Sequence, residues 1–468
     1  MKNILFVATQ PQRFLDQCLF AAQLSKSASD NIKIKFFIGD NVAGTYKREV
    51  GELSFCVINP VHEKTLHTSR FKSLVKNKLK SAMSENMIKL VRKGVAFIKT
   101  TPLFGGKLKR SEEAFYHSFT ARHKLVSEYV KNADIDVIFI NGDRHLGDEC
   151  VFLKVAEELN IPTVIPYLVD FADKERILKL GGGIPVVKRR WFVSEYVRKT
   201  QQNLPYSYDD LYYYPHPIGN VLHDLGIHAS NPFVMGSGKS TVICLNNKYS
   251  ADKYAELGVE RQKIRIIGDI SYDGLYRQNL KREEIKAEFS EIYEFDLKRK
   301  IIVIALPQLA EHNILTWDKH WKEIKFLISS LCSSGAEVLI SLHPKMSRKS
   351  YSFLETAYRC RILNERLSYA LPAADVFVAT FSSTVVWSVL CGINTVVVDF
   401  YELNYKMYDF LQSIRMVRDK AKLMSAVNNA LNSAGDFSED WERLSRNEVF
   451  DGNTIRRYEE LILEVCRK

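Results

Sequence analysis

The sequence predicts an α/β protein of two Rossmann-like domains. Its 468 residues are too many for one ordinary core. Ten short apolar runs rich in β-branched residues alternate with stretches of helical periodicity, the pattern of parallel sheets built from βαβ units. Ten strands exceed one compact doubly wound sheet, so two such sheets are the economical reading.

The strands are placed at 2–9, 32–39, 136–141, 163–168, 240–246 and 264–268, then at 300–306, 337–343, 376–380 and 394–400. A charged run, KREEIKAEFSEIYEFDLKRK, separates the two sets, so the first domain is set at 1–290 and the second at 291–468. The first domain carries a basic helical insertion at about 70–125, and residues 171–235, rich in Gly, Tyr and Pro, read as a long loop or insertion. Gly181-Gly182-Gly183 and the segment His216–Asn220 within it suit a hinge or acceptor loop, but their spacing fixes no role. The C-terminal segment NTIRRYEELILEVCRK is amphipathic.

Composition narrows the class. Hydrophobic content of 46% and charged content of 26% are ordinary for a globular chain. No apolar run approaches the ~20 residues needed to span a bilayer, and MKNILFVATQ reads as a first strand, so a cytoplasmic protein is expected. The eight cysteines are scattered without C-x-x-C spacing, which points to core residues in a reducing compartment. Net charge is +11 and uneven: twelve Lys or Arg stand against one acid, Glu85, between Arg70 and Arg110. Apolar residues at near-helical spacing there suggest peripheral contact with an anionic membrane or acceptor, the alternative being a solvated basic helix face. No nucleic-acid signature accompanies the charge.

GSGKST at 236–241 imitates a phosphate-binding P-loop, but Phe233 stands where the first glycine belongs and a strand pattern follows instead of a helix. A loop entering a strand explains it better. The stronger signal is in the second half, where one strand ends in His343-Pro344-Lys345 and another in Phe381-Ser382-Ser383-Thr384 before a helix. Ligands of open α/β sheets bind at the carboxyl ends of strands. Ser382, Ser383 and Thr384 would cap the helix and, with its free N–H groups, form an anion site. His343 would donate a hydrogen bond to a phosphate or a proton to a leaving group. Each motif alone reads as a cap or a turn; together, at matching strand ends, they read as a site.

This pairing resembles the donor half of GT-B glycosyltransferases, and most of all those using CMP-activated acidic sugars (bacterial sialyl-, polysialyl- and Kdo-type transferases) and the related CDP-glycerol polymerases. The resemblance covers roughly residues 300–410, and it implies that the two domains face each other across a cleft and that the C-terminal helix crosses back to the first domain. It implies that His343 contacts the donor phosphate and that Ser382 and Ser383 hold the nucleotide phosphate, with Thr384 accessory. Glu365 sits where such proteins place a nucleoside contact, and Asp399 ends the next strand; either is equally a surface charge or cap.

Two further groups are candidates. Gln308, Glu311 and His312 follow the first strand of the second domain, where a carboxylate beside an imidazole suits a base or an electrostatic stabiliser. In the first domain, NGDRHLGDE follows a strand and offers Asp143, then His145, as the base for an acceptor hydroxyl, although Gly142-Asp143 departs from the Asp-Gly order the resemblance implies. The alternative is a solvated helix start.

The expected function is glycosyl transfer from a nucleotide sugar, with a CMP-linked acidic sugar favoured, to a glycan or lipid-linked cell-surface acceptor. No D-x-D motif sits at a strand end, so no metal and no cofactor beyond the nucleotide-sugar co-substrate are expected. The alternatives are a non-hydrolysing UDP-N-acetylglucosamine 2-epimerase, suggested by NPFVMGSGKS and by Tyr272-Asp273 after a strand, a CDP-polyol phosphotransferase, and a non-catalytic partner of the same fold.

Overall fold

The computed structural model describes residues 1–27, 31–46, 57–58, 105–144, 147–167, 213, 218–312, 314–343, 346–401, 403 and 406–467. The basic stretch between residues 59 and 104, Gly181-Gly182-Gly183, the His216-Pro217 pair, His145, Pro344 and Lys345 lie outside the described residues.

Two wholly parallel sheets organise the chain. The first has the order β3-β2-β1-β4-β5-β6-β7, with β1 Lys2–Ala8, β2 Ile32–Ile38, β3 Val57–Ile58, β4 Val137–Phe139, β5 Thr163–Ile165, β6 Val242–Leu245 and β7 Ile264–Ile266. The second has the order β10-β9-β8-β11-β12-β13, with β8 Ile301–Ala305, β9 Glu337–Ser341, β10 Cys360–Ile362, β11 Val376–Ala379, β12 Asn394–Val398 and β13 Ile414–Val417. All ten expected strands form. Three short outer ones, β3, β10 and β13, were not expected.

Central strands such as β8 and β12 are buried on both faces, which is why they read as unbroken apolar runs and not as alternating ones. Phe6 of β1 stacks between Phe36 and Phe139 at ring distances of 5.3 and 4.9 Å, tying three neighbouring strands on one face. Both sheets use the same anchoring device. Asp136, just before β4, accepts the backbone N–H of Asn3 at 2.7 Å, and Asp375, just before β11, accepts that of Ile301 at 2.8 Å. In each case a carboxylate at the amino edge fixes the first strand of its domain to the fourth. Asp375 also meets Lys286 and Lys300 at 3.1 Å. Burial opposes its charge, but these hydrogen bonds outweigh burial and hold its pKa below the usual range.

The last helix, Thr454–Val465, does cross back. Tyr458 is fully buried against Phe20 in the first core, at 4.5 Å between rings, and accepts the Tyr167 N–H at 3.1 Å. Its start is held by Asp273, whose carboxylate accepts the N–H groups of Thr454 and Ile455 at 2.6 and 3.0 Å. Asp273→Ala is expected to leave two buried donors unpaired and cost about 2 kcal/mol, seen as a lower thermal midpoint; an unchanged midpoint would count against this anchor.

The boundary near 290 needs correction. Tyr272, Leu275, Ile285, Phe289 and Tyr293 pack into the second core, with Phe377, Val385 and Leu371. The change of core falls between β7 and Tyr272, because the helices Tyr272–Leu280 and Arg282–Tyr293 bury their apolar faces on the second sheet. Their charges, which suggested a break, are the exposed faces of packed amphipathic helices.

The carboxyl edges of the two sheets face each other. Tyr249, on the helix after β6, stacks on Phe410 of the second domain at 3.8 Å and 12°. Asp16, on the helix after β1, feels the charge of Arg366, on the loop after β10. Two Rossmann-type domains, a cleft between their carboxyl edges and a returning last helix make the GT-B arrangement. Among the described residues, no helix is long and apolar enough to cross a membrane.

Candidate functional site

Each sheet has one topological switch point, where neighbouring strands send their connections to opposite faces and leave a crevice. In the second sheet it lies between β8 and β11. The loops leaving these strands carry Gln308, Glu311 and His312 on one side and Phe381 to Thr384 on the other. His312 Nε2 lies 3.2 Å from Gln308 Oε1, and its ring stands 6.4 Å from that of Phe381.

Ser382 Oγ lies 2.7 Å from Thr384 Oγ1 and accepts the Thr384 N–H at 3.3 Å. The turn is held from below by Tyr408, whose hydroxyl donates to the Ser382 carbonyl at 2.5 Å. Ser383 is exposed at the start of the helix Thr384–Leu390. The expected division of roles shifts accordingly: Ser382 and Thr384 shape the turn, and Ser383 presents its hydroxyl outward.

Flanking strands complete this edge. His343 follows β9 and is exposed, with its backbone N–H directed at Met346 Sδ at 3.4 Å. Glu365, after β10, takes a hydrogen bond from the Tyr293 hydroxyl. Burial, reinforced by that carboxylate, pushes the Tyr293 pKa up to about 12. Asp399, after β12, accepts the Leu403 N–H at 2.9 Å, a loop-closing contact that gives it structural work. Glu311 accepts the Tyr351 hydroxyl at 2.8 Å. Parallel pairing therefore brings Gln308, Glu311, His312, His343, Glu365 and Ser382 to Thr384 to one edge, although they span 77 residues (308–384) in sequence.

The first sheet overturns one expectation. Asp143 is 2% exposed, and its carboxylate is wrapped by the GSGKST segment. It accepts the Gly236 N–H at 2.9 Å, the Gly238 N–H at 2.8 Å and the Ser240 hydroxyl at 2.7 Å. A Cβ at Gly238 would stand 2.3 Å from the Asp143 carbonyl oxygen, so only glycine permits the wrap. An acceptor hydroxyl does not reach a carboxylate enclosed in this way, which removes Asp143 as the base. The P-loop imitation is explained too: its backbone N–H groups bind an anion, but the anion is internal, and the segment leads into β6.

Another carboxyl stands at the first switch point, between β1 and β4. Glu149, in the first turn of the helix Asp148–Leu159, is 3% exposed and receives the Thr9 hydroxyl at 3.1 Å. Burial pushes its pKa up to about 7, although hydrogen bonds from Asn141 and Thr9 oppose the shift. Thr9 follows β1 and Asn141 follows β4, so Glu149 closes the crevice between them. Sequence reasoning passed over Glu149 as part of a helix start. Glu149 next to Cys150-Val151-Phe152-Leu153, a run buried throughout, was the available signal.

No family model matches the sequence, and no curated protein matches it. Among solved structures, UDP-GlcNAc 2-epimerase from Methanocaldococcus jannaschii aligns over 99% of this chain and 99% of its own, with 12% identity and a TM-score of 0.49. Anabaena HepE, solved in complex with UDP and glucose, aligns over 99% and 100%, with 12% identity and a TM-score of 0.47. A glycosyltransferase from Rickettsia africae aligns over 99% and 98%, with 10% identity and a TM-score of 0.47. At this identity the likeness concerns architecture alone.

Proposed function

We propose that the protein is a glycosyltransferase that binds a nucleotide sugar on its second domain and an acceptor hydroxyl on its first. One observation carries this reading: the two switch points face one cleft with complementary chemistry. One offers a hydroxyl-lined helix start flanked by His343, the other a carboxyl whose pKa lies near neutrality. In the reaction, the acceptor oxygen bonds the anomeric carbon as the bond from that carbon to the phosphate oxygen breaks. The electron pair leaves with the phosphate, where the helix start and His343 offset its charge. The acceptor proton passes to ionised Glu149 through the half-buried Thr9 hydroxyl. Asp273, a candidate acid for an epimerase, is committed to the last helix.

The His-Pro and Ser-Ser-Thr pairing favours CMP as the nucleotide, and the basic stretch between Arg70 and Arg110 suits an anionic glycan or lipid-linked acceptor. Transfer is expected to survive EDTA, because the charge compensation described above uses side chains and helix N–H groups. The test is a thermal-shift screen of CMP, CDP, UDP and GDP on the wild type, His343→Ala and Ser383→Ala. CMP is expected to raise the midpoint most, with the rise reduced in both variants. A larger response to UDP removes the CMP preference, and equal responses in all three proteins remove the site. Incubation with UDP-N-acetylglucosamine alone separates transfer from epimerisation, since only the latter proceeds without an acceptor.

A further inference from the structure

The donor-side switch point contains a polar arrangement that phosphate binding leaves unexplained. Glu311 Oε1 accepts the Tyr351 hydroxyl at 2.8 Å, and that hydroxyl lies 2.8 Å from His320 Nε2. A carboxylate only accepts, so Tyr351 donates its one proton to Glu311 and His320 must donate from Nε2. The hydrogen bonds therefore run in one direction, from His320 through Tyr351 to Glu311.

His320 is fully buried, and Trp317 and Trp321 pack edge-on against its ring at 5.4 and 4.9 Å. Burial lowers its pKa against the opposing pull of Glu311. The outcome is a carboxylate held in one orientation from behind.

Its other oxygen, Oε2, is buried and has no hydrogen-bond partner among the described residues, and the same holds for Gln308 Nε2. Gln308 is only 8% exposed. The His312 N–H bonds the Gln308 carbonyl at 3.1 Å, so residues 308 to 312 form one helical turn. Positions three apart on such a turn lie side by side. An acceptor and a donor, both buried and unused, thus lie on one turn, whose His312 ring stands 6.4 Å from that of Phe381.

A hydroxyl, or the amide of an N-acyl group, offers both a donor for Glu311 and an acceptor for Gln308. We infer that Gln308 and Glu311 bind a hydroxyl or N-acyl amide of the donor's sugar, and that Tyr351 and His320 position Glu311 for it. The inference rests on the nucleotide-sugar reading above.

Calorimetry tests it by pairing each nucleotide with its own sugar conjugate: UDP with UDP-N-acetylglucosamine, GDP with GDP-mannose and CMP with CMP-N-acetylneuraminate. For a nucleotide that binds the wild type, its sugar conjugate is expected to bind about tenfold tighter, the worth of one charge-assisted hydrogen bond. Tyr351→Phe should erase most of that gain while leaving free-nucleotide affinity unchanged, an outcome that general loss of structure does not produce. Glu311→Gln, which keeps the shape of the side chain but not its charge, should erase most of it as well. The inference is overturned if the gain survives in both variants, or if a nucleotide binds but its sugar adds no affinity. Failure of every nucleotide to bind overturns the nucleotide-sugar reading itself, and the inference with it.

Discussion

Glu149→Gln is expected to slow sugar transfer by about 10²–10⁴-fold, the usual worth of general base assistance, while making the protein more stable at alkaline pH. The two effects share one cause. In the fold the Glu149 pKa is pushed up to about 7, so the folded protein holds its proton where the unfolded chain has released it. A raised carboxyl contributes stability that is fully present below its unfolded pKa and is lost as pH rises through the folded one. For Glu149 that window runs from about pH 4.5 to about pH 7, and the loss is on the order of 3 kcal/mol. Glutamine cannot ionise and escapes it. Thermal midpoints measured from pH 5 to pH 8 should fall less for the variant than for the wild type. Parallel curves would show that Glu149 is ionised throughout, and undiminished transfer would exclude it as the base. Thr9→Val should reproduce the kinetic loss but steepen the pH dependence instead of flattening it, because the Thr9 hydrogen bond opposes the rise of the Glu149 pKa.

Asp143→Ala is expected to cost about 3–5 kcal/mol, because two backbone N–H groups and a hydroxyl lose their acceptor inside the fold. Asp143→Asn should lose less, since one oxygen remains to accept while the amide meets donors with a donor. Denaturant unfolding of both variants measures the effect. The asparagine variant also separates the two roles that the sequence left open for Asp143. A structural carboxylate predicts reduced stability with transfer retained, whereas a base predicts normal stability with transfer abolished. The second outcome would require the enclosure by Gly236, Gly238 and Ser240 to open in solution.

Asp143 and Glu149 show how far residue types and spacing reach. Both lie in NGDRHLGDE, both follow a strand, and both are acids near a helix start. Nothing local distinguishes them. The distinction comes from residues 93 to 97 positions away, where the GSGKST segment folds over Asp143, and from Thr9, 140 positions away, which reaches Glu149. The outer strands β10 and β13 show the same limit on a smaller scale. Nothing local sets Cys360-Arg361-Ile362 and Ile414-Arg415-Met416-Val417 apart from the chain around them, and each forms because a parallel neighbour supplies its hydrogen bonds. His320 likewise carries no mark in the helix Trp317–Cys332 that distinguishes it from Lys319 as a partner for Tyr351.

What was legible from residue order was the architecture: two parallel α/β domains, ten of the strands and the strand ends that carry His343, Gln308 and Ser382 to Thr384. Burial on both faces writes unbroken apolar runs into such strands, and parallel pairing sends all their carboxyl ends to one edge whatever their separation in the chain. The chemistry of individual polar groups was decided only by the fold. A carboxylate bonded on three sides is a structural anchor, and a carboxyl buried with fewer partners is poised to take up a proton. That difference depends on neighbours distant in sequence, which no local pattern records.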